Sequence, residues 1–163
     1  NVQIEVNATT LLPFGEGPDA LVNNHIGKKF NAVLEAPVWL GQYAPDLLPI
    51  EQVDNVQVTL TLPVAIVLEA YSLTTGNDNP QRDPSAWTLL GSEDGVNWVE
   101  LDNNLYPESP SRLTTYHYEL SGNSQAFSHY RFVLENTRQG SNIGGDAGRL
   151  IQLGELSLWD LEE

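Results

Sequence analysis

The chain has 163 residues, of which 40% are hydrophobic and 18% charged, values that suit a globular domain able to bury one sizeable core. Its 22 acidic against 7 basic residues leave a net charge of −15, so nucleic acid and anionic membrane surfaces are poor partners. The absence of Cys excludes disulfides, thiolate metal sites and Cys nucleophiles, and no apolar run approaches the roughly 18 residues of a membrane span.

Taken in order, Val2 to Val6 alternates apolar and polar residues and predicts a first strand. Leu11 to Phe30, rich in Gly, Pro and Asn, reads as irregular loop with at most a turn of helix. Phe30 to Leu40 is half-apolar with Trp39 near its end, and GQYAPDLLP after it reads as surface loop. Val53 to Leu62 has the clearest alternation in the chain and predicts a strand with one buried face. Pro63 is expected to break it. Val64 to Leu68, nearly all apolar, is expected to resume as a strand buried on both faces.

The stretch from Ala70 to Asn104 is the most informative. A polar loop, TTGNDNPQRDP, leads into a strand over Ala86 to Ser92, and Glu93-Asp94-Gly95 turns it into a partner over Asn97 to Leu101. Asp-Gly between alternating apolar runs is a strong hairpin signal, because Gly supplies positive φ without steric cost. Further strands are predicted over Leu113 to Leu120, Phe127 to Glu135 and Leu150 to Leu161, with a glycine-rich loop over Asn136 to Gly148. Trp87, Trp98 and Trp159 sit among apolar neighbours and are expected in the core. Some eight or nine strands with no helical period predict an all-β sandwich or barrel in a single domain over residues 1–163.

Three segments resemble the discoidin-like domains, also called coagulation factor V/VIII C-type domains, whose bacterial members include the family-32 carbohydrate-binding modules. The most specific is Tyr71 to Asp102, with its Tyr, polar loop, Arg-Asp-Pro, Trp, Gly-Ser, Asp-Gly and Trp. His129 to Trp159 is similar to the closing strands, and Gly17 to Val33 to the loop that reads Leu-Ile/Phe-Asp-Gly-Asn in relatives. The resemblance implies an eight-stranded antiparallel jelly-roll sandwich of the galactose-binding-like fold. It also implies a non-catalytic module that binds a glycan or polysaccharide through loops at one end, tethered to other domains of a secreted or cell-surface parent. A chain that opens at Asn1 and holds no Met fits a mature or excised module.

Glycan sites pair an aromatic face with bidentate polar side chains that meet the hydroxyls. The candidates are His25, Trp39, Tyr43, Asn77, Asp78, Arg82, Asn136, Arg138 and Asn142. Four have a plainer alternative: Trp39 in the core, Asn77 and Asp78 as turn formers, Arg82 as the ion-pair partner of Asp83. Thr74 stands near the position where galactose-binding relatives carry an Arg, so that arrangement is not intact. Relatives also hold a structural Ca²⁺, which takes six to eight oxygens. The corresponding positions are Leu21, Asn23, His25, Lys28 and Glu155, where Asn23 replaces the usual Asp and Lys28 the usual Thr. Lys28 paired with Glu155 is the alternative to the ion. No catalytic motif is present: His-x-x-x-His, Gly-x-Ser-x-Gly and phosphate-cradling glycine loops are all missing, and His117 and His129 fall within predicted strands. The rival to a sugar-binding module is a structural or adhesin module on the same sandwich.

Overall fold

The computed structural model describes residues 2–22, 29–37, 39–138 and 149–160. Among these, nine strands form an antiparallel sandwich: β1 (Gln3–Val6), β2 (Phe30–Glu35), β3 (Val56–Thr74), β4 (Trp87–Ser92), β5 (Val99–Asn104), β6 (Thr115–Glu119), β7 (Ala126–Leu134), β8 (Arg149–Leu153) and β9 (Glu155–Asp160). One short helix, α1 (Leu40–Tyr43), and several single 3₁₀ turns complete the described elements. No helix of the described residues is long and apolar enough to cross a membrane.

Everything is hung on β3. Its first half pairs with β1 and β7, in the order β1-β3-β7-β4-β5, and its second half pairs with β6 on one side and β9 on the other. A single strand thus belongs to a five-stranded and a three-stranded layer. The passage between layers is a bulge: Thr61 pairs with His129, but the next paired residue is Ile66, opposite Phe127. Pro63 lies in that bulge, where a residue without an N–H forfeits no ladder bond. It therefore does not break the strand. Nor is the segment after it buried on both faces, because Val64 turns outward at the corner and is 71% exposed.

The core fills the space between layers with one face of each strand. Val56, Val58 and Leu60 from β3, Trp87 and Leu89 from β4, and Tyr130, Phe132 and Leu134 from β7 follow the period-2 pattern. Tyr71 and Trp87 sit at its centre. The Trp87 indole N–H donates to the Tyr71 hydroxyl at 2.8 Å, and that hydroxyl donates to the Asp102 carboxylate at 2.6 Å. Tyr118 stacks on Tyr71 at 5.2 Å, and Tyr106 meets Trp87 edge-on at 5.0 Å. A polar chain runs through apolar packing with both partners of Tyr71 satisfied, so the aromatic cluster adopts one arrangement.

Three expectations change here. The hairpin turn is longer than Asp-Gly alone implies, and β5 starts at Val99 because the Asp94 carboxylate accepts the backbone N–H groups of Val96 and Asn97, each at 2.8 Å. Those donors are withdrawn from the ladder. Trp98, just past that turn, is half-buried outside the core, where the Arg131 guanidinium lies 4.0 Å over its ring. The closing strand divides at Gly154, whose N–H donates to the Thr74 carbonyl at 2.7 Å. There a Cβ would come within 2.7 Å of the Thr75 carbonyl oxygen. Beyond the division Leu156 and Leu158 face inward, so Trp159 faces out and is 53% exposed.

Two outcomes follow from the aromatic cluster. Tyr71→Phe leaves the buried Trp87 N–H without its acceptor and should lower stability by about 1–3 kcal/mol in urea unfolding. Burial also pushes the Tyr71, Tyr106, Tyr118 and Tyr130 hydroxyls upward, Tyr118 from 10.0 to about 12. The folded state therefore holds these protons more tightly than the unfolded state, and their contribution is complete below about pH 10. Stability should fall as pH rises from 10 towards 12, in step with tyrosinate absorbance.

Candidate functional site

The loops that leave β3, β5 and β7 are drawn together at one end of the sandwich by hydrogen bonds rather than by apolar packing. Just past β3, Thr75 is fully buried; its hydroxyl donates to the Ser111 carbonyl at 2.6 Å and its N–H to the Thr114 carbonyl at 3.0 Å. Leu113 N–H reaches the Gly76 carbonyl at 3.1 Å. Gly76 has no room for a side chain, since a Cβ would lie 2.2 Å from the Gln152 amide nitrogen.

Asp83 is the hub. Its side chain is wholly buried and receives the Arg112 guanidinium in a two-pronged contact, Nη1 to Oδ1 at 2.9 Å with Nη2 on Oδ2. The Asp83 carbonyl accepts the Arg138 backbone N–H at 2.7 Å, and two residues on, Ser85 N–H donates to the Asn136 carbonyl at 2.7 Å. Burial pushes the Asp83 carboxyl above its ordinary value, and Arg112 only partly offsets this. The pair is thus costly to bury and more costly to break.

Between these loops lies a cleft of about 260 Å³ whose walls include Ser85, Leu105, Tyr106, Pro107, Glu108 and Arg138. Leu105 and Glu108 are exposed, and Arg138 is partly so. Beneath them the Tyr106 hydroxyl is buried with no hydrogen-bond partner among the described residues. The cleft therefore offers an apolar wall, a guanidinium donor, a carboxylate acceptor and a small hydroxyl within one concavity. Such a set suits a polyhydroxylated ligand with apolar C–H faces.

Of the sequence candidates among the described residues, Arg138 alone lines this cleft. Asn136 braces the scaffold, its Oδ1 accepting from Arg149 at 3.1 Å and from the Thr137 N–H at 2.8 Å. Asp78 is tied down by Lys29 at 2.6 Å, and its carbonyl accepts the Gln152 amide at 2.6 Å, while Asn77 is exposed beside it. Arg82 ends a 3₁₀ turn and is not the partner of Asp83: that role belongs to Arg112, 29 residues downstream. Trp39 is half-buried against a small cluster with Leu11, Leu40 and Leu150, and Tyr43 meets it edge-on at 6.4 Å. Tyr43 is 65% exposed, as its place between Gly41 and Pro45 implies. His25 and Asn142 lie outside the described residues.

For the calcium positions, Asn23, His25 and Lys28 also lie outside the described residues. Leu21 and Glu155 are both buried, on a 3₁₀ turn (Pro18–Leu21) and a strand that touch one another. A carboxylate sequestered beside a backbone turn has the donor chemistry a hard cation needs. Among the described residues no group of three or more His, Asp or Glu side chains could hold a metal ion.

Sequence reasoning missed Arg112, Leu105, Tyr106 and Glu108. The prolines at 107 and 110 flag a loop, but nothing local reveals that it folds over Asp83.

No family model matches the chain. One curated relative, a peptide-N(4)-(N-acetyl-β-glucosaminyl)asparagine amidase of Arabidopsis thaliana, is 30% identical over 93 residues, 56% of this chain and 12% of that protein. Solved structures with the same fold cover nearly the whole chain. A family-32 carbohydrate-binding module of Clostridium perfringens, solved in complex with GalNAc-β-1,3-galactose, has 14% identity and a TM-score of 0.61 over 97% of this chain and 94% of its own. The C-terminal domain of a Bacteroides fragilis chitobiase has 13% identity and a TM-score of 0.67 over 98% and 93%. An F5/8 type C domain from Bacteroides fragilis has 8% identity and a TM-score of 0.64 over 96% and 91%. The chain is an all-β sandwich of the galactose-binding-like class. More narrowly, its fold is the discoidin-like one shared with F5/8 type C domains and family-32 carbohydrate-binding modules.

The hub carries its own outcome. Arg112→Ala leaves a buried carboxylate uncompensated and should cost about 3–5 kcal/mol in chemical unfolding. The double variant Asp83→Asn with Arg112→Ala should recover part of that loss.

Proposed function

We propose that the chain is a non-catalytic carbohydrate-binding module, and that the cleft bounded by Leu105, Glu108 and Arg138 receives a glycan. The observation that carries this reading is the cleft itself: donor, acceptor and apolar wall on loops braced by the Asp83–Arg112 pair. The likeness in fold to a module that binds GalNAc-β-1,3-galactose supports it. In such a role the module keeps a larger secreted or surface protein close to its polysaccharide, raising effective concentration without chemistry of its own. The short match to a much longer amidase is consistent with a module joined to other domains. A shallow end-loop site buries little area, so single-module affinity should be weak.

A second reading, a structural or adhesin module without a sugar site, is favoured by Thr74. Its side chain is buried and bonded to Thr115 at 2.7 Å, so no guanidinium projects from that position. A glycan array on the isolated chain separates the two. The sugar-binding reading expects at least one binder, with affinity falling tenfold or more in Arg138→Ala and Tyr43→Ala leaving it intact unless the ligand extends beyond the cleft. An array blank at high protein concentration would establish the second reading instead.

Structural Ca²⁺ at Leu21, Asn23, His25, Lys28 and Glu155 belongs to the same proposal, with Glu155 as the carboxylate donor. An ion bound only by the folded state stabilises it by about 2.7 kcal/mol at a hundredfold excess over Kd. Chelator should therefore lower the melting temperature, added Ca²⁺ restore it, and Glu155→Gln remove the response. An unchanged melting curve would overturn the metal assignment for Asn23 and Glu155.

A further inference from the structure

The outer face of the three-stranded layer presents a second feature with no part in the cleft. On β9, Trp159 lies opposite Ala70 of β3, and on β6, His117 lies opposite Ser72. An exposed indole on a sheet face leaves a large apolar area in water, and here it is held in place. Its Nε1–H donates to the Ser72 hydroxyl at 3.1 Å, that hydroxyl lies 3.1 Å from His117 Nδ1, and the two rings meet at 6.0 Å with planes 72° apart. Ser72 Oγ accepts from the indole and keeps a second lone pair and its own proton, so it can partner Nδ1 in either tautomer. The chain of contacts from Trp159 through Ser72 to His117 crosses all three strands and engages Nδ1, which leaves Nε2 of the exposed imidazole as the ring nitrogen able to meet a ligand hydroxyl. Two residues along β6, on the same face, Glu119 adds an exposed carboxylate acceptor opposite Ala70.

We propose that this face is a second saccharide-binding platform, on which a neutral pyranose stacks its C–H face over Trp159 while His117 and Glu119 take its hydroxyls. The composition of the face decides the occupant. A half-exposed indole offers on the order of 100 Å², far short of the roughly 800 Å² per partner of a stable protein interface, but matched to one sugar ring. With Glu119 beside it and a chain carrying −15, anionic ligands such as nucleotides or sulfated sugars are repelled. The small residues Ala70 and Ser72 on the central strand are buried beneath the two flanking rings and let them meet over the strand. This platform is independent of the end-loop cleft and stands or falls without it.

The test is a titration of ¹⁵N-labelled protein with lactose, cellobiose, chitobiose and GalNAc-β-1,3-galactose. It follows the indole resonances of Trp39, Trp87, Trp98 and Trp159, the last assigned through Trp159→Phe. The platform expects the Trp159 signal to move progressively with at least one of these sugars at millimolar concentration. His117→Ala should weaken that response at least fivefold, Trp159→Ala should abolish the corresponding binding, and Arg138→Ala should leave it unchanged. A Trp159 signal unmoved by every sugar overturns the platform, whether or not residues around the cleft respond. A Trp159 signal that moves with protein dilution alone overturns it in favour of self-association. Movement at Trp159 with no response around the cleft supports the platform and counts against the cleft. If Trp159→Ala does not fold, His117→Ala together with Trp159→Phe still decides the matter.

Discussion

A single strand shared by two layers is the constraint on which this molecule rests. β3 must leave one sheet, turn a corner at Pro63 to Ala65 and enter the other in the opposite layer. Because its two halves face each other across the core, Tyr71 from the second half can reach Trp87 and Phe132 of the first layer. The same folding-back brings the end of β3 to the place where β4 begins and β7 ends. The loop cluster is therefore a consequence of the corner, and the corner of a four-residue bulge that costs no hydrogen bonds at its proline.

At that end the structure changes its means of cohesion. Loops carry too little apolar surface to pack as strands do, so they are joined by buried polar contacts, with Asp83 at the centre. A buried ion pair contributes little net stability, because desolvation offsets most of its attraction. What it does contribute is a unique arrangement, since every alternative leaves a charge buried alone. That property suits the proposed cleft, whose Arg138 and Glu108 both sit on loops and not on strands.

The two surfaces proposed for ligands differ in how they are made rigid. The cleft borrows its order from a network beneath it, whereas the Trp159 face is built directly on paired strands and fixed by a three-residue relay. Each sets polar groups around an apolar contact, and the cleft adds the Arg138 guanidinium in a chain where most other cations are engaged: Lys29 with Asp78, Arg112 with Asp83, Arg131 with Trp98 and Thr59, and Arg149 with Glu35 and Asn136.

The alternation in Val53 to Leu62, the Asp-Gly turn and the spacing of turn residues were enough to read an all-β sandwich or barrel, because period-2 burial and positive φ are local requirements; its discoidin-like type was read from the resemblance of three segments, above all Tyr71 to Asp102. The core role of Trp87 and the exposure of Tyr43 were legible for the same reason. Other features were decided only in three dimensions. Trp159 faces out because Gly154 resets the alternation against Thr75, and Trp98 leaves the core because Asp94 captures two backbone donors. Asp83 pairs with Arg112 and not with adjacent Arg82, since neighbours in sequence diverge at a 3₁₀ turn while a loop 29 residues away folds over it. Local chemistry specifies which faces are buried; which charges meet depends on chain closure, and no spacing in the sequence encodes that.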